Sequence, residues 1–200
     1  MSFTKKFLKL CAGVVDGLDE KALEAAAHKL AQVRENGGRL FLVGSGGGAG
    51  HASHAACDFR KICGLESYAP YDNVSELTAR VNDEGWEETL VGYLKTSHLN
   101  SKDALLVFSV GGGSEAANIS MNLVKAIKYA KEIGAGVVAV VGRDGGYAAQ
   151  NADVAVLIPP LEADLVTPLT EGFQAVVWHL LVSHPVLQKN AAKWESVTVK

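Results

Sequence analysis

Apolar and polar residues follow two different rhythms along this 200-residue chain. Over residues 3–15 and 19–36 the apolar positions recur every three or four residues, the period of helices with one buried face. The Gly37-Gly38 pair then stops the second helix. From residue 40 the rhythm changes. "LFLVGSGGG" (40–48), "LLVFSVGGG" (105–113) and "VVAVVGRDGG" (137–146) are unbroken apolar runs that end in glycines, "VAVLIPP" (154–160) is a fourth run, and "SYAP" (67–70) adds a short one. Runs without polar alternation are strands buried on both faces, as in a parallel sheet covered by helices. Helix-period stretches at 49–63, 74–95, 114–133 and 164–184 lie between them. The chain therefore predicts a single α/β domain, a three-layer α/β/α sandwich around a central, mostly parallel sheet. Its expected parts are an N-terminal helical pair (1–37), the α/β core (38–187) and a C-terminal tail (188–200). The leading pair has no strand of its own, so it packs on the sheet or on a neighbouring chain.

Composition narrows the function classes. Apolar residues make up 48% and charged residues 20%, ordinary values for a soluble domain. A net charge of -3 with scattered lysines and arginines gives no footprint for nucleic acid or an anionic membrane. The first twenty residues carry Asp16 within a short apolar stretch and read as an amphipathic helix, not a leader. The most apolar helix, around Phe173 to Val182, keeps His179, so no membrane span is expected. Three cysteines (Cys11, Cys57, Cys63) without CxxC spacing suit a reducing cytoplasm.

The glycines fall at the carboxyl ends of the strands, where open α/β sheets bind ligands. Backbone N–H groups of such a loop converge on an anion, assisted by the next helix's N-terminus. "GSGGGAGH" and "SVGGGSEAA" both have this form, with hydroxyls at Ser45, Ser109 and Ser114. A tight strand-to-helix turn explains one such loop, whereas two at equivalent sheet positions favour a phosphorylated ligand. Neither continues into the GK[ST] of a nucleoside triphosphate loop, and the acidic residue of a dinucleotide site is missing, so no nucleotide cofactor is expected.

His54 and Asp58 follow the first loop at i and i+4, on one helix face about 6 Å apart. His51 sits one turn earlier, and Glu171 and His179 share a later helix. Taken alone, each reads as a solvated or hydrogen-bonded residue rather than a ligand, His179 excepted. His179, flanked by "AVVW" and "LLV", needs a partner if it is buried.

With "GSGGGAGHASHAACD", "VND" (81–83), "SVGGGS", "VVGRDGG" and "TPLTEGFQAVVWH" in place, almost the whole chain resembles the sugar isomerase (SIS) fold, which is flavodoxin-like. Within it the chain resembles the sedoheptulose-7-phosphate isomerase (phosphoheptose isomerase) group. The resemblance implies an aldose–ketose isomerase acting on a phosphorylated sugar through an enediol. Asp58 and His179 take the catalytic positions, and His54, Asp58, Glu171 and His179 the positions of a divalent metal, zinc in some members. Ser45, Gly46, Gly47, Gly48, Ser109, Gly111 and Ser114 take the phosphate positions, and Asp83 a substrate-contacting one. A homotetramer with shared sites is also implied. The chain departs from the family where Ser45 replaces an asparagine, Gly48 and Gly111 replace serines, Asp58 shortens a glutamate and Glu171 replaces a glutamine. Those substitutions keep a second reading open, a non-catalytic SIS module that binds a sugar phosphate or a protein partner. Along a straight helix Glu171 and His179 stand about 12 Å apart. One metal joins them only if both side chains lean together, if the helix starts after Glu171, or if two protomers contribute.

Overall fold

The computed structural model describes residues 1–191, so the expected tail 188–200 lies mostly outside the described residues. Five parallel strands form one sheet in the order β2-β1-β3-β4-β5. They are β1 (Leu40–Gly44), β2 (Ser67–Tyr68), β3 (Ala104–Ser109), β4 (Gly136–Val141) and β5 (Val154–Leu157). β1 pairs with β3 from Leu40↔Ala104 to Gly44↔Phe108, which brings the ends of β1 and β3 level. The first two glycine loops therefore leave the sheet side by side, at the point where the strand order reverses.

The apolar runs work as continuous two-sided strands. One face sends Leu40, Leu42, Leu106, Phe108, Val138, Val140 and Val156 into a cluster with α2 (Glu20–Glu35), α3 (Gly47–Lys61) and α8 (Val166–Ser183). The other sends Phe41, Val43, Leu105, Val107, Val137, Ala139 and Val141 against α5 (Thr89–Thr96), α6 (Met121–Glu132) and α7 (Gly146–Asn151). Period-2 alternation thus feeds two cores, giving the three layers. At the base of the sheet, Asp103 is 1% exposed in its side chain and pairs with Arg39 at 2.7 Å. It also accepts from the Arg39 and Asn100 backbone N–H groups, which pins the start of β3 to that of β1.

Of the two leading helices, α2 buries Leu23, Ala26, Ala27, Leu30, Ala31 and Val33. α1 (Phe3–Gly17) buries only Val14 and leaves Phe3, Leu8 and Val15 exposed. Residues 163–183 are long and apolar enough to cross a membrane by composition, but half of that window is buried inside the fold. α8 is a core helix packed along α3.

The structure departs from expectation in three places. The stretch 74–95 is broken into α4 (Val74–Asp83) and α5, because Gly85 takes φ +85° between them. The helix expected over 114–133 starts only at Met121. Residues 114–119 instead make a small excursion closed by an antiparallel bridge between Ser114 and Ile119, with Asn118 and Ser120 left-handed. The third difference is α7, a short helix after the β4 loop that the sequence reading did not contain.

Candidate active site

The first glycine loop turns β1 into α3. Gly46 takes φ +58° at the N-cap, a conformation that favours glycine. Gly44 and Gly48 are glycines for closeness. A Cβ on Gly44 would meet the Gly48 backbone at 2.4 Å, and one on Gly48 would meet the Phe108 carbonyl at 2.5 Å. The loop is thereby pressed onto the end of β3. The Gly48 N–H donates to the Ser45 carbonyl, and Ser45 stays half-buried while Gly46 and Gly47 are exposed.

The second loop is built differently. Gly112 and Gly113 are buried at φ +70° and +83°. Their carbonyls accept from the Ala148 and Tyr147 N–H groups. A Cβ on Gly112 would lie 1.8 Å from the Gly145 carbonyl oxygen. Gly112 and Gly113 thus serve close packing against the β4–α7 loop. Ser109 Oγ accepts from the Gly112 N–H at 3.0 Å, and Ser114 Oγ from the Ala117 N–H at 3.2 Å. Ser114 belongs to the excursion, six residues before the residue that precedes α6. That residue is Ser120, which the sequence reading passed over. The signal was present, since a serine directly before "MNLVKAI" marks a helix start.

α3 and α8 lie side by side and run the same way. Glu171 meets Gly47, His179 meets His54, and the Val182 carbonyl meets Cys63. This register decides which candidates come together. Ligand atoms of His54, Asp58 and His179 all lie within 4.8 Å of one another. His54 Nε2 stands 3.9 Å from Asp58 Oδ2, beyond hydrogen-bond reach. The His54 and His179 rings are perpendicular, 5.7 Å apart, and Trp178 packs on both. His179 is exposed, not buried in the apolar stretch that surrounds it in sequence. Its Nδ1 lies 2.7 Å from the Ala175 carbonyl. A carbonyl only accepts, so Nδ1 carries the hydrogen and Nε2 keeps its lone pair free for a proton or a metal.

Glu171 does not join these three. The option that α8 starts after Glu171 is excluded, because the helix begins at Val166 and holds both residues. Eight residues apart on α8, they face different turns of α3. The Glu171 carboxylate atoms lie 2.5–2.7 Å from where a Gly47 Cβ would be. There the negative charge complements the helix N-terminus. Beside it His51 is half-buried on α3, and burial holds its imidazole below the usual histidine value. Glu171 opposes that shift, while His54 and His179 reinforce it. Asp83 ends α4 in an exposed position with its carboxylate accepting from Asn82 Nδ2, and among the described residues no hydrogen bond ties it to the glycine loops or the histidines.

Two histidines and a carboxylate suit zinc, and as three protein ligands they leave a coordination position for a substrate oxygen. The residues present therefore fit a divalent metal.

The SIS domain family matches residues 2–142. The lincomycin biosynthesis protein LmbN of Streptomyces lincolnensis is 35% identical over 193 residues, covering 92% of this chain and 69% of its own. The phosphoheptose isomerase of Helicobacter pylori strain P12 is 30% identical over 169 residues, 81% of each chain. The fold is similar to that of phosphoheptose isomerase GmhA from Neisseria gonorrhoeae, with a TM-score of 0.76 at 24% identity over 90% of this chain and 98% of that one. A two-loop sheet end, a histidine–carboxylate cluster on parallel helices and this coverage converge, and the chain belongs to the SIS domain family, in its phosphoheptose isomerase group.

Proposed function

We infer that the protein is an aldose–ketose isomerase that interconverts sedoheptulose 7-phosphate and a D-glycero-heptose 7-phosphate through an enediol. The observation that carries this reading is the separation of two chemistries along one helix. Anion-binding donors sit at the head of α3, and the His54–Asp58–His179 cluster begins seven residues later, about 10 Å along the axis. A substrate that uses both must be an extended chain with its phosphate remote from the reacting carbons. Cyclic or short sugar phosphates do not span that distance as well as an open heptose.

Asp58 accepts the proton from C1 of the ketose, and the electron pair left behind forms the C1=C2 bond of the enediol. Return of a proton to C2 gives the aldose. His179, with Nε2 free to accept, moves the proton that leaves the C1 hydroxyl to the oxygen on C2. Alternatively His54, Asp58 and His179 would hold a divalent metal, best zinc; with Nε2 of His179 then engaged, polarisation of the carbonyl and hydroxyl oxygens would take the place of its proton transfer. The phosphate is received by Ser45 and the Gly46–Gly47 backbone together with the first turn of α6. Ser109, Gly111 and Ser114 line the second loop beside it.

The apolar residues left exposed on α1 (Phe3, Leu8, Val15) and α8 (Val176, Leu180) support assembly with further copies of the chain, a tetramer by family resemblance. Three free cysteines support a cytoplasmic location. The alternative, a module that only binds, has no use for a histidine–carboxylate cluster with a fixed His179 tautomer. Proton NMR of sedoheptulose 7-phosphate in heavy water tests the reading. Isomerisation with deuterium entering at the carbon next to the carbonyl is expected, and no exchange with or without added zinc refutes it.

A further inference from the structure

Asn122, in the first turn of α6, is fully buried, yet its Oδ1 has no hydrogen-bond partner. An orphaned buried amide oxygen costs stability, so an apolar residue there would serve the fold better. What the side chain gains is on its nitrogen. Nδ2 donates to Ser45 Oγ at 3.1 Å and to Tyr71 OH at 2.9 Å.

The direction of every hydrogen in this chain follows from its far end. Thr89 Oγ1 donates to the Trp86 carbonyl, which can only accept. The Thr89 hydrogen is thus used, and Tyr71 OH must donate to Thr89 Oγ1 across their 2.8 Å contact. Tyr71 in turn accepts from Asn122. Turning the amide over would point Oδ1 at two hydroxyls and strand both Nδ2 hydrogens, so this orientation satisfies more groups. Both hydrogens on Nδ2 are then committed, and Ser45 Oγ is made an acceptor. Its own hydrogen has no recorded acceptor among the described residues. It remains available to a ligand at the first glycine loop, next to the first turn of α6 that carries Asn122.

We propose that Asn122 is a positioning residue for substrate binding. By occupying a lone pair of Ser45 Oγ from behind, it turns the Ser45 hydroxyl into a fixed donor toward the substrate's phosphate. The proposal rests on the sugar-phosphate reading above, and it adds a residue that contacts no substrate itself. The same amide ties the loop to the Tyr71–Thr89–Trp86 segment, so that both approach the α6 head as one unit.

The test is a double-mutant cycle with Asn122→Leu and Ser45→Ala, read by calorimetric Kd for sedoheptulose 7-phosphate and by steady-state kinetics. Asn122→Leu is expected to weaken Kd and raise KM about tenfold, with kcat within threefold. Affinity for unphosphorylated sedoheptulose should not move. In the Ser45→Ala background the same change should add less than twofold. Tyr71→Phe, which removes the other acceptor but leaves the Ser45 contact, should change KM by less than threefold. Should Asn122→Leu fail to fold, Asn122→Ala carries the same expectations. Independent, multiplicative effects of the two changes overturn the proposal, as does equal weakening for the phosphorylated and unphosphorylated sugars. Wild-type protein that binds the phosphosugar without turning it over refutes the isomerase reading alone, because the Kd cycle still decides the role of Asn122. Wild-type protein that binds no phosphosugar overturns both.

Discussion

Replacing Asp58 by asparagine keeps the volume of the side chain and removes its charge and its capacity to take a proton. The structure limits what this costs the fold. Asp58 is 18% exposed in its side chain, and among the described residues its one ion-pair neighbour is His54 at 3.9 Å, an i,i+4 contact that is ionic only when the imidazole is protonated. Arg60, the obvious surface partner in sequence, instead donates to the Ser67 carbonyl and lies over the Tyr68 ring. Losing one exposed i,i+4 pair costs about 0.5 kcal/mol, or about 1–2 °C in Tm for a chain of this size. General base catalysis supplies about 10²–10⁴ in rate, which is about 2.7–5.4 kcal/mol at 1.36 kcal/mol per decade. The two effects differ several-fold in energy, so turnover, bound metal and Tm measured on this single variant separate the roles. Turnover reduced at least a hundredfold with Tm nearly unchanged and metal retained identifies the base. Reduced metal content with activity partly recovered by excess zinc identifies a ligand only. Wild-type turnover would refute the catalytic role, and a Tm fall of many degrees would show that Asp58 chiefly holds the two helices together.

Other outcomes follow from separate parts of the molecule. Gly112→Ala places a Cβ 1.8 Å from the Gly145 carbonyl oxygen at φ +70°, so it should cost at least about 2 kcal/mol, read as a drop of several degrees in Tm; an unchanged Tm contradicts the loop packing. Asp153 is raised by burial, but Lys131, the Val137 N–H and Lys29 outweigh this and hold its carboxyl below the ordinary value. Its stabilising contribution is present above the unfolded carboxyl's pKa and lost as pH falls through the lower folded one. The Tm difference between wild type and Asp153→Asn should therefore be widest near pH 7 and close below about pH 4. Burial pushes the Cys63 thiol up to about 12, so a thiol reagent at pH 8 should label exposed Cys57 quickly and Cys63 only on unfolding; rapid modification of Cys63 in the native protein would contradict its burial.

The sheet was legible because its physics is local. A strand buried on both faces has to be apolar at successive positions, and Leu40 to Val43, Leu105 to Phe108 and Val137 to Val141 all are. The helix boundaries were less so. "SEAANIS" is compatible with helix by composition, and nothing local reveals that Ser114 and Ile119 bridge each other before the helix begins. Gly85 interrupts a helical pattern that its neighbours would otherwise sustain. The glycines of the second loop show the same limit from another side. One sequence cannot tell a glycine that exposes its N–H to an anion from one that lets two backbones touch, and Gly112 and Gly113 lie against Gly145 and Gly146.

Within the site, the pairs fixed by helix spacing were legible, and the pairs fixed by the register between helices were not. His54 and Asp58 are neighbours on any helix. Whether His179 or Glu171 reaches them depends on how α8 is set along α3, which periodicity does not encode. The structure sets His179 beside His54 and Glu171 two turns back beside Gly47. That register has a chemical consequence. The family glutamine at this place is neutral, whereas Glu171 puts a carboxylate at the head of α3, where it competes for the positive helix end with an incoming phosphate. On the proposed reading, this carboxylate biases the phosphate toward the Ser45 side of the same loop, facing the start of α6. Asn122 is the side chain that holds Ser45 on that side. A substitution that looks at first like a weakened anion site is, in this register, a charge on the Gly47 side of the loop that leaves the Ser45 side open to the proposed phosphate.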